Sequence, residues 1–277
     1  MQKKIKMLIP ILIVAVAALA VFAYLHFKEK QNGKRIKVSG NIEATDIRLA
    51  FRVGGKIKEL LTDEGKVIKA GDIVARLETD ELVQMRDQAA ASLRAAEYQY
   101  ALDKVDFERA ENLFQAGSYS AQRRDLAKTK ADADKANVEA LKASLDLTNT
   151  RLGFADLASP IDGFILVKSA EAGEVVQVGS TVFTVADLRD IWLTAYINET
   201  DLGRVKLNQH VEVKTDTYPN KAYKGRISFI SQESEFTPKQ IQTTEERVKL
   251  VYRIKIAVEN TNLELKPGMP ADGYILE

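Results

Sequence analysis

Residues 53–77 read VGGKIKELLTDEGKVIKAGDIVARL, and residues 161–185 read IDGFILVKSAEAGEVVQVGSTVFTV. These are two copies of one pattern at a constant offset of 108 residues, without a gap. Gly55 matches Gly163, Ile57 matches Ile165, Gly65 matches Gly173, Val67 matches Val175, Gly71 matches Gly179 and Val74 matches Val182. Within each copy apolar and polar residues alternate over short runs, the period-two signature of half-buried strands. The glycines fall between the runs, where turns call for backbone angles that other residues adopt only under strain. Two equivalent four-strand halves predict a small flattened sandwich, residues 51–79 forming the first half and 158–187 the second. Some 75 residues separate them.

The split repeat resembles the biotinyl/lipoyl carrier domain. In that family the hairpin between the halves carries a lysine, in contexts such as E-T-D-K-A, to which the cofactor is joined through an amide. Here the stretch is Glu78-Thr79-Asp80-Glu81-Leu82, with Glu81 at the lysine position. A carboxylate cannot form that amide, so no cofactor is expected.

The filling, residues 80–157, contains no proline and is dominated by good helix formers. Its one break is Gln115-Ala116-Gly117-Ser118-Tyr119-Ser120. Before the break, alternating steps of four and three residues pick out Leu82, Arg86, Ala89, Leu93, Ala96, Tyr100, Asp103, Phe107, Ala110 and Phe114. After it they pick out Ala127, Ala131, Asp134, Val138, Leu141, Leu145, Thr148, Leu152 and Ala155. Both stripes are predominantly apolar. This heptad patterning on two segments predicts an antiparallel coiled-coil hairpin with its tip at about 115–121. Each arm of about 35 residues would reach roughly 50 Å.

Residues 7–27, MLIPILIVAVAALAVFAYLHF, carry no lysine, arginine, aspartate or glutamate. That is long enough for a transmembrane anchor. Ala18-Leu19-Ala20 looks like a signal-peptide cleavage site, but the apolar run exceeds the 7–15 residues or so of a signal core, which favours an uncleaved anchor. A short tail (1–6) ahead of a long domain places the tail in the cytoplasm and the bulk of the chain outside the inner membrane. There is no cysteine, hence no disulfide and no thiolate metal site.

Residues 188–277 change texture. Ile191–Ile197, His210–Lys214, Tyr223–Ile230 and Leu250–Val258 alternate or are β-rich, which predicts a small antiparallel β-barrel, with a short helical turn around Glu199–Val205. The strand-like part of 28–50 is available to join either the barrel or the sandwich.

Anchor, half-sandwich, helical hairpin, half-sandwich and barrel, in that order, make a mixed α and β, elongated, multidomain chain. It resembles the HlyD-type membrane fusion proteins, or periplasmic adaptors. The resemblance rests on the split repeat, on Ala158-Ser159-Pro160-Ile161-Asp162-Gly163 at the return from the hairpin, on Trp192 through Val213, and on Leu265-Lys266-Pro267-Gly268-Met269. It implies an inner-membrane protein with its bulk in the periplasm, no enzymatic activity, and assembly into a ring, commonly a hexamer. It also implies an inner-membrane transporter as partner, of ABC type by the short hairpin and compact barrel, and a TolC-like outer-membrane channel met by the hairpin tip. The family's tip residues are an arginine, a leucine four residues on and a serine eleven after the arginine. These match Arg109, Leu113 and Ser120, with Gly117 in the turn between; Ala110 stands where members often have leucine. Read by itself, Ser120 is a helix N-cap for the second arm.

Composition excludes other classes. Forty basic against 39 acidic residues give a net charge of +1, without the basic footprint of a nucleic-acid binder. The pair Arg123-Arg124 is too short a run to supply one. His26 and His210 are too far apart in sequence to suggest a metal site or an acid–base pair. No G-x-x-x-x-G-K-[ST] loop is present, so ATP use would belong to a partner.

Overall fold

The computed structural model describes residues 35–236 and 250–276. The elements in chain order are β1 (Ile36–Ala50), β2 (Gly55–Leu60), β3 (Val67–Ile68), β4 (Ile73–Leu77), α1 (Asp80–Gln115), α2 (Ala121–Gly153), β5 (Asp156–Ala158), β6 (Gly163–Lys168), β7 (Val175–Val176), β8 (Thr181–Asn198), α3 (Glu199–Leu202), β9 (His210–Thr215), β10 (Tyr223–Phe236), β11 (Leu250–Glu259) and β12 (Pro270–Ile275). The expected anchor at 7–27 lies outside the described residues. Among those described, no helix is long and apolar enough to cross a membrane. The described residues form two units, 46–186 and, together, 35–45, 187–236 and 250–276.

In the first unit the repeat becomes a two-layer sandwich whose halves trade their shortest strands. One sheet runs β5-β4-β2-β7 and the other joins β3, β6 and the start of β8. Gly55 and Lys56 pair with Val176 and Val175, and at the same repeat offset Gly163 and Phe164 pair with Ile68 and Val67. The turns obey the same symmetry. Gly65 N–H donates to Ile165 O at 2.9 Å and Gly173 N–H to Ile57 O at 2.8 Å, both glycines having positive φ. Each quoted copy supplies three strands rather than the four expected, because the remaining sheet positions go to flanking segments such as β5. The core holds Phe51, Ile57, Leu77, Ile165, Val182 and Phe183. The return segment is latched by polar contacts: Ser159 Oγ donates to Ile161 O at 2.7 Å, Gly71 N–H to Ser159 O at 2.8 Å, and Ala70 N–H to Asp162 Oδ1 at 2.9 Å.

The filling is two long helices, α1 and α2, packed antiparallel, with Lys130 against Asp103 and Arg124 against Glu111. The stripe read from the spacing is the stripe that is covered. Every expected position from Leu82 to Phe114 and from Ala127 to Leu152 is buried or half-buried, while its neighbours are mostly exposed. Ala155 departs from this: it lies past the end of α2 and is buried in the sandwich core.

The second unit is a closed antiparallel barrel. The strand order is β1-β12-β9-β10-β11-β8, and β1 also pairs with β8. Alternation along β8 buries Ile191, Leu193, Ala195 and Ile197 beside Val213, Ile227, Ile254 and Ile256. Thus the stretch that the sequence left open, 36–50, closes the barrel with Ile36, Val38 and Ile42, while its last residues Leu49 and Ala50 lie in the first unit, Leu49 in the sandwich core. The Lys266–Met269 turn secures that closure: Gly268 N–H donates to Ile42 O and Ile42 N–H to Met269 O, both at 2.8 Å. Asn260, buried, donates to the carbonyls of Leu188 and Leu265 and accepts from Leu265 N–H.

Candidate partner-binding site at the hairpin tip

The tip is built by two helix caps. At the end of α1 the chain turns through Gly117 at φ 73°. Ser118 N–H donates to Leu113 O at 2.8 Å and Gly117 N–H to Phe114 O at 2.9 Å, the pair of bonds that defines a Schellman motif. A side chain at Gly117 would meet nothing in space, so the backbone angle alone selects glycine. Tyr119 N–H also donates to Leu113 O, at 3.2 Å. Three residues after the glycine, Ser120 takes extended backbone angles and its hydroxyl accepts Arg123 N–H, capping α2 as the sequence suggested.

The four expected residues occupy one end of the hairpin in distinct states. Arg109 is exposed and its guanidinium donates to Asp106 one turn back at 2.8 Å. Leu113 is half-buried under the turn and its carbonyl accepts the N–H groups of Ser118 and Tyr119; Gly117 and Ser120 are exposed. Two further residues, set aside by composition, organise the tip. The Arg124 guanidinium stacks 4.5 Å from the Phe114 ring and bonds Asp125 at 2.6 Å. Arg123 stacks 4.6 Å from the Tyr119 ring. These cation–π contacts tie the start of α2 to the end of α1 and to the turn. The available signal was the aromatic pair Phe114 and Tyr119 flanking the turn, not the two arginines by themselves.

Glu81, at the position a carrier would modify, sits exposed in the first turn of α1, where a carboxylate complements the helix N-terminus. Among the described residues no three His, Cys, Asp or Glu side chains gather as a metal site.

Midway along the hairpin the seam carries a polar cluster. Asp103 is buried, accepting from Lys130 Nζ at 2.8 Å and Gln99 Nε2 at 2.9 Å. Across the seam stands Asp134, whose Oδ2 is buried with no donor. The carboxyls can bond to each other only if one keeps a proton. Bonds from Asp134, Lys130 and Gln99 hold Asp103 down to about 2, whereas the facing Asp103 carboxylate pushes Asp134 up. The two signs are opposite. Stability from Asp103 is present above the unfolded carboxyl range of about 4 and is lost as pH falls toward 2. Stability from protonated Asp134 is present below about 4 and is lost as pH rises through its raised value. Around this pair, Lys130 opposes the Asp134 shift and Asp106 adds negative charge near Lys130. Asp134→Asn, which keeps a donor at every pH, should raise the thermal midpoint at pH 7 by about 3 °C, with the gain gone near pH 4; Asp103→Asn should lower it at pH 7. Thermal melts of the two variants across that range check the assignment.

A sequence profile for the CzcB-like, barrel-sandwich hybrid domain matches residues 46–187, and one for the YknX-like beta-barrel domain matches 191–272. A barrel-sandwich hybrid opened by a helical hairpin and accompanied by this barrel is the architecture of the membrane fusion proteins, or periplasmic adaptors, and the chain belongs to that family. Among its relatives, the UPF0194 membrane protein of Yersinia pseudotuberculosis serotype IB (strain PB1/+) is 30% identical over 310 aligned positions, covering 93% of this chain and 94% of the relative. A UPF0194 membrane protein of Enterobacter sp. (strain 638) is 27% identical, with 93% of each covered. In fold, the chain is similar to MacA from Actinobacillus actinomycetemcomitans (TM-score 0.74, 23% identity, 87% of this chain and 78% of that one). It is also similar to the membrane fusion protein Spr0693 from Streptococcus pneumoniae R6 (TM-score 0.69, 16% identity, 87% and 98%).

Proposed function

We propose that the chain is a periplasmic adaptor for efflux or secretion. Residues 7–27 anchor it in the inner membrane beside an exporter of ABC type, and the hairpin tip meets a TolC-like outer-membrane channel. The carrying observation is the tip itself: two caps and two arginine–aromatic stacks hold a turn that presents Arg109 beside Leu113 at the end of helices about 50 Å long. Such a tip is preorganised to dock, since little conformational freedom remains to be lost on binding. Arg109 offers a planar donor set for carboxylates or carbonyls of a partner, and its exposed bond to Asp106 costs little to exchange. The protein's task is assembly, with energy supplied by the exporter.

Arg109→Asp and Leu113→Ala are expected to leave expression and assembly intact and to abolish export, scored as drug resistance or secreted cargo. Normal export by both variants would show that the tip is not the docking site. A pull-down from membranes is expected to recover ATPase and permease subunits; recovery of a proton-driven pump without them would replace the ABC reading.

A further inference from the structure

The second arm of the tip repeats the pairing of an arginine with a leucine. On α1, Arg109 and Leu113 each stand one position ahead of a seam residue, Ala110 and Phe114. On α2, Leu126 stands one ahead of the seam residue Ala127, and Arg123 one ahead of Arg124, which is turned against Phe114. Antiparallel helices are related by a half-turn about an axis normal to their common plane, so positions ahead of the seam on both arms share one face. The contacts of Asp103 with Lys130 and of Glu111 with Arg124 set the register of α1 against α2. That register puts Leu126 level with Arg109, and Arg123 between the levels of Arg109 and Leu113. The four residues thus form one patch drawn from two helices.

The two pairs are not equally available to a partner. Arg109 is already bonded to Asp106, and Leu113 is half-buried under the turn. Arg124 likewise has Asp125 and Glu111. Arg123 is exposed and lies on the Tyr119 ring at 4.6 Å, and among the described residues no carboxylate pairs with it. A guanidinium stacked on a ring is held in place while its in-plane N–H donors stay open to an acceptor. Leu126 lies outside the seam and is 71% exposed.

We propose, on the reading of the tip as the docking site, that Arg123 and Leu126 carry its main contact. Arg123 meets a carboxylate of the outer-membrane partner, and Leu126 enters an apolar groove beside that carboxylate. The occupant follows from charge complementarity: an oriented cation with no acid of its own selects an acidic surface, and a bidentate bond to a carboxylate is the strongest it can make. Arg109 and Leu113 flank this contact on the same face.

The test uses the full-length chain in cells that export. Arg123→Glu and Leu126→Ser are expected to lower export at least about ten-fold, with helix content and assembly unchanged. Tyr119→Leu removes the stack and keeps the charge, so it is expected to cost less than Arg123→Gln; equal losses would reduce Arg123 to a brace for the turn and overturn the proposal. A photo-cross-linking residue, p-benzoylphenylalanine, placed at Leu126 is expected to capture an outer-membrane channel, identified by mass spectrometry. The same probe at Lys128, on the opposite face, is expected to capture none. Capture of only a second copy of this chain from Leu126 overturns the proposal. If Arg109→Asp abolishes export while Arg123→Glu and Leu126→Ser export normally, the tip still docks but not through this pair. If all three export normally, the docking reading falls with it.

Discussion

Gly40→Ala is expected to unfold the barrel while leaving the hairpin helical. A Cβ at Gly40 would stand 1.8 Å from the carbonyl oxygen of Thr194, 2.8 Å from its carbonyl carbon and 2.9 Å from Ala195 Cα. All three are backbone atoms of β8, so no rotamer change relieves the overlap. Ordinary overpacking against side chains costs about 1–3 kcal/mol. Here β1 must part from β8, and with it go the closure of the barrel and the burial of Ile36, Val38 and Ile42. That loss is comparable with the 5–15 kcal/mol or so that holds a typical domain folded. The measurement is calorimetry with far-UV circular dichroism: the barrel transition disappears and the helical signal of residues 80–153 persists. Gly203→Ala, at φ −65° with nothing within 4 Å, is the matched control and should melt like the parent. Parent-like melting of Gly40→Ala would mean that the two strands separate at little cost.

The second large effect is expected from Phe183→Ala. Phe183 is fully buried in the sandwich core. Its partner under the repeat is Ala75, also fully buried, so the symmetry supplies no second ring at the matching position. Removing a buried phenylalanine leaves a cavity and costs about 3–5 kcal/mol. For a unit of this size that corresponds to a fall of roughly 10 °C in melting temperature. The hairpin springs from this sandwich, so export should fail at temperatures where the parent still works. A fall of only one or two degrees would show that the core collapses to fill the space.

Much of this architecture was legible in the residues because it is written in local periodicity. The split repeat was visible through its glycines and alternating valines and isoleucines, and the seam through steps of four and three; both periods follow from backbone geometry. Ser120 as a cap and Gly117 as a turn residue were equally local. The strand β12 was not foreseen, since Pro270–Ile275 is short and follows a proline-rich turn. Nor were the roles of Arg123 and Arg124, which depend on where Phe114 and Tyr119 lie after the chain reverses. The pairing of Asp103 with Asp134 was hidden for the same reason: polar residues in predominantly apolar stripes look like imperfections until the register brings these two together.

By itself, the sequence determined the kinds of element, the cut in the repeat, the covered face of each helix and the absence of a modifiable lysine at Glu81. Only the tertiary structure decided that the repeat's halves exchange β3 and β7, that β1 closes the barrel at Gly40, and which outer faces of the hairpin remain uncovered. The division has a physical cause. Periodicity and capping depend on neighbours a few residues away, whereas strand exchange, barrel closure and helix register depend on which distant backbones come within hydrogen-bonding reach.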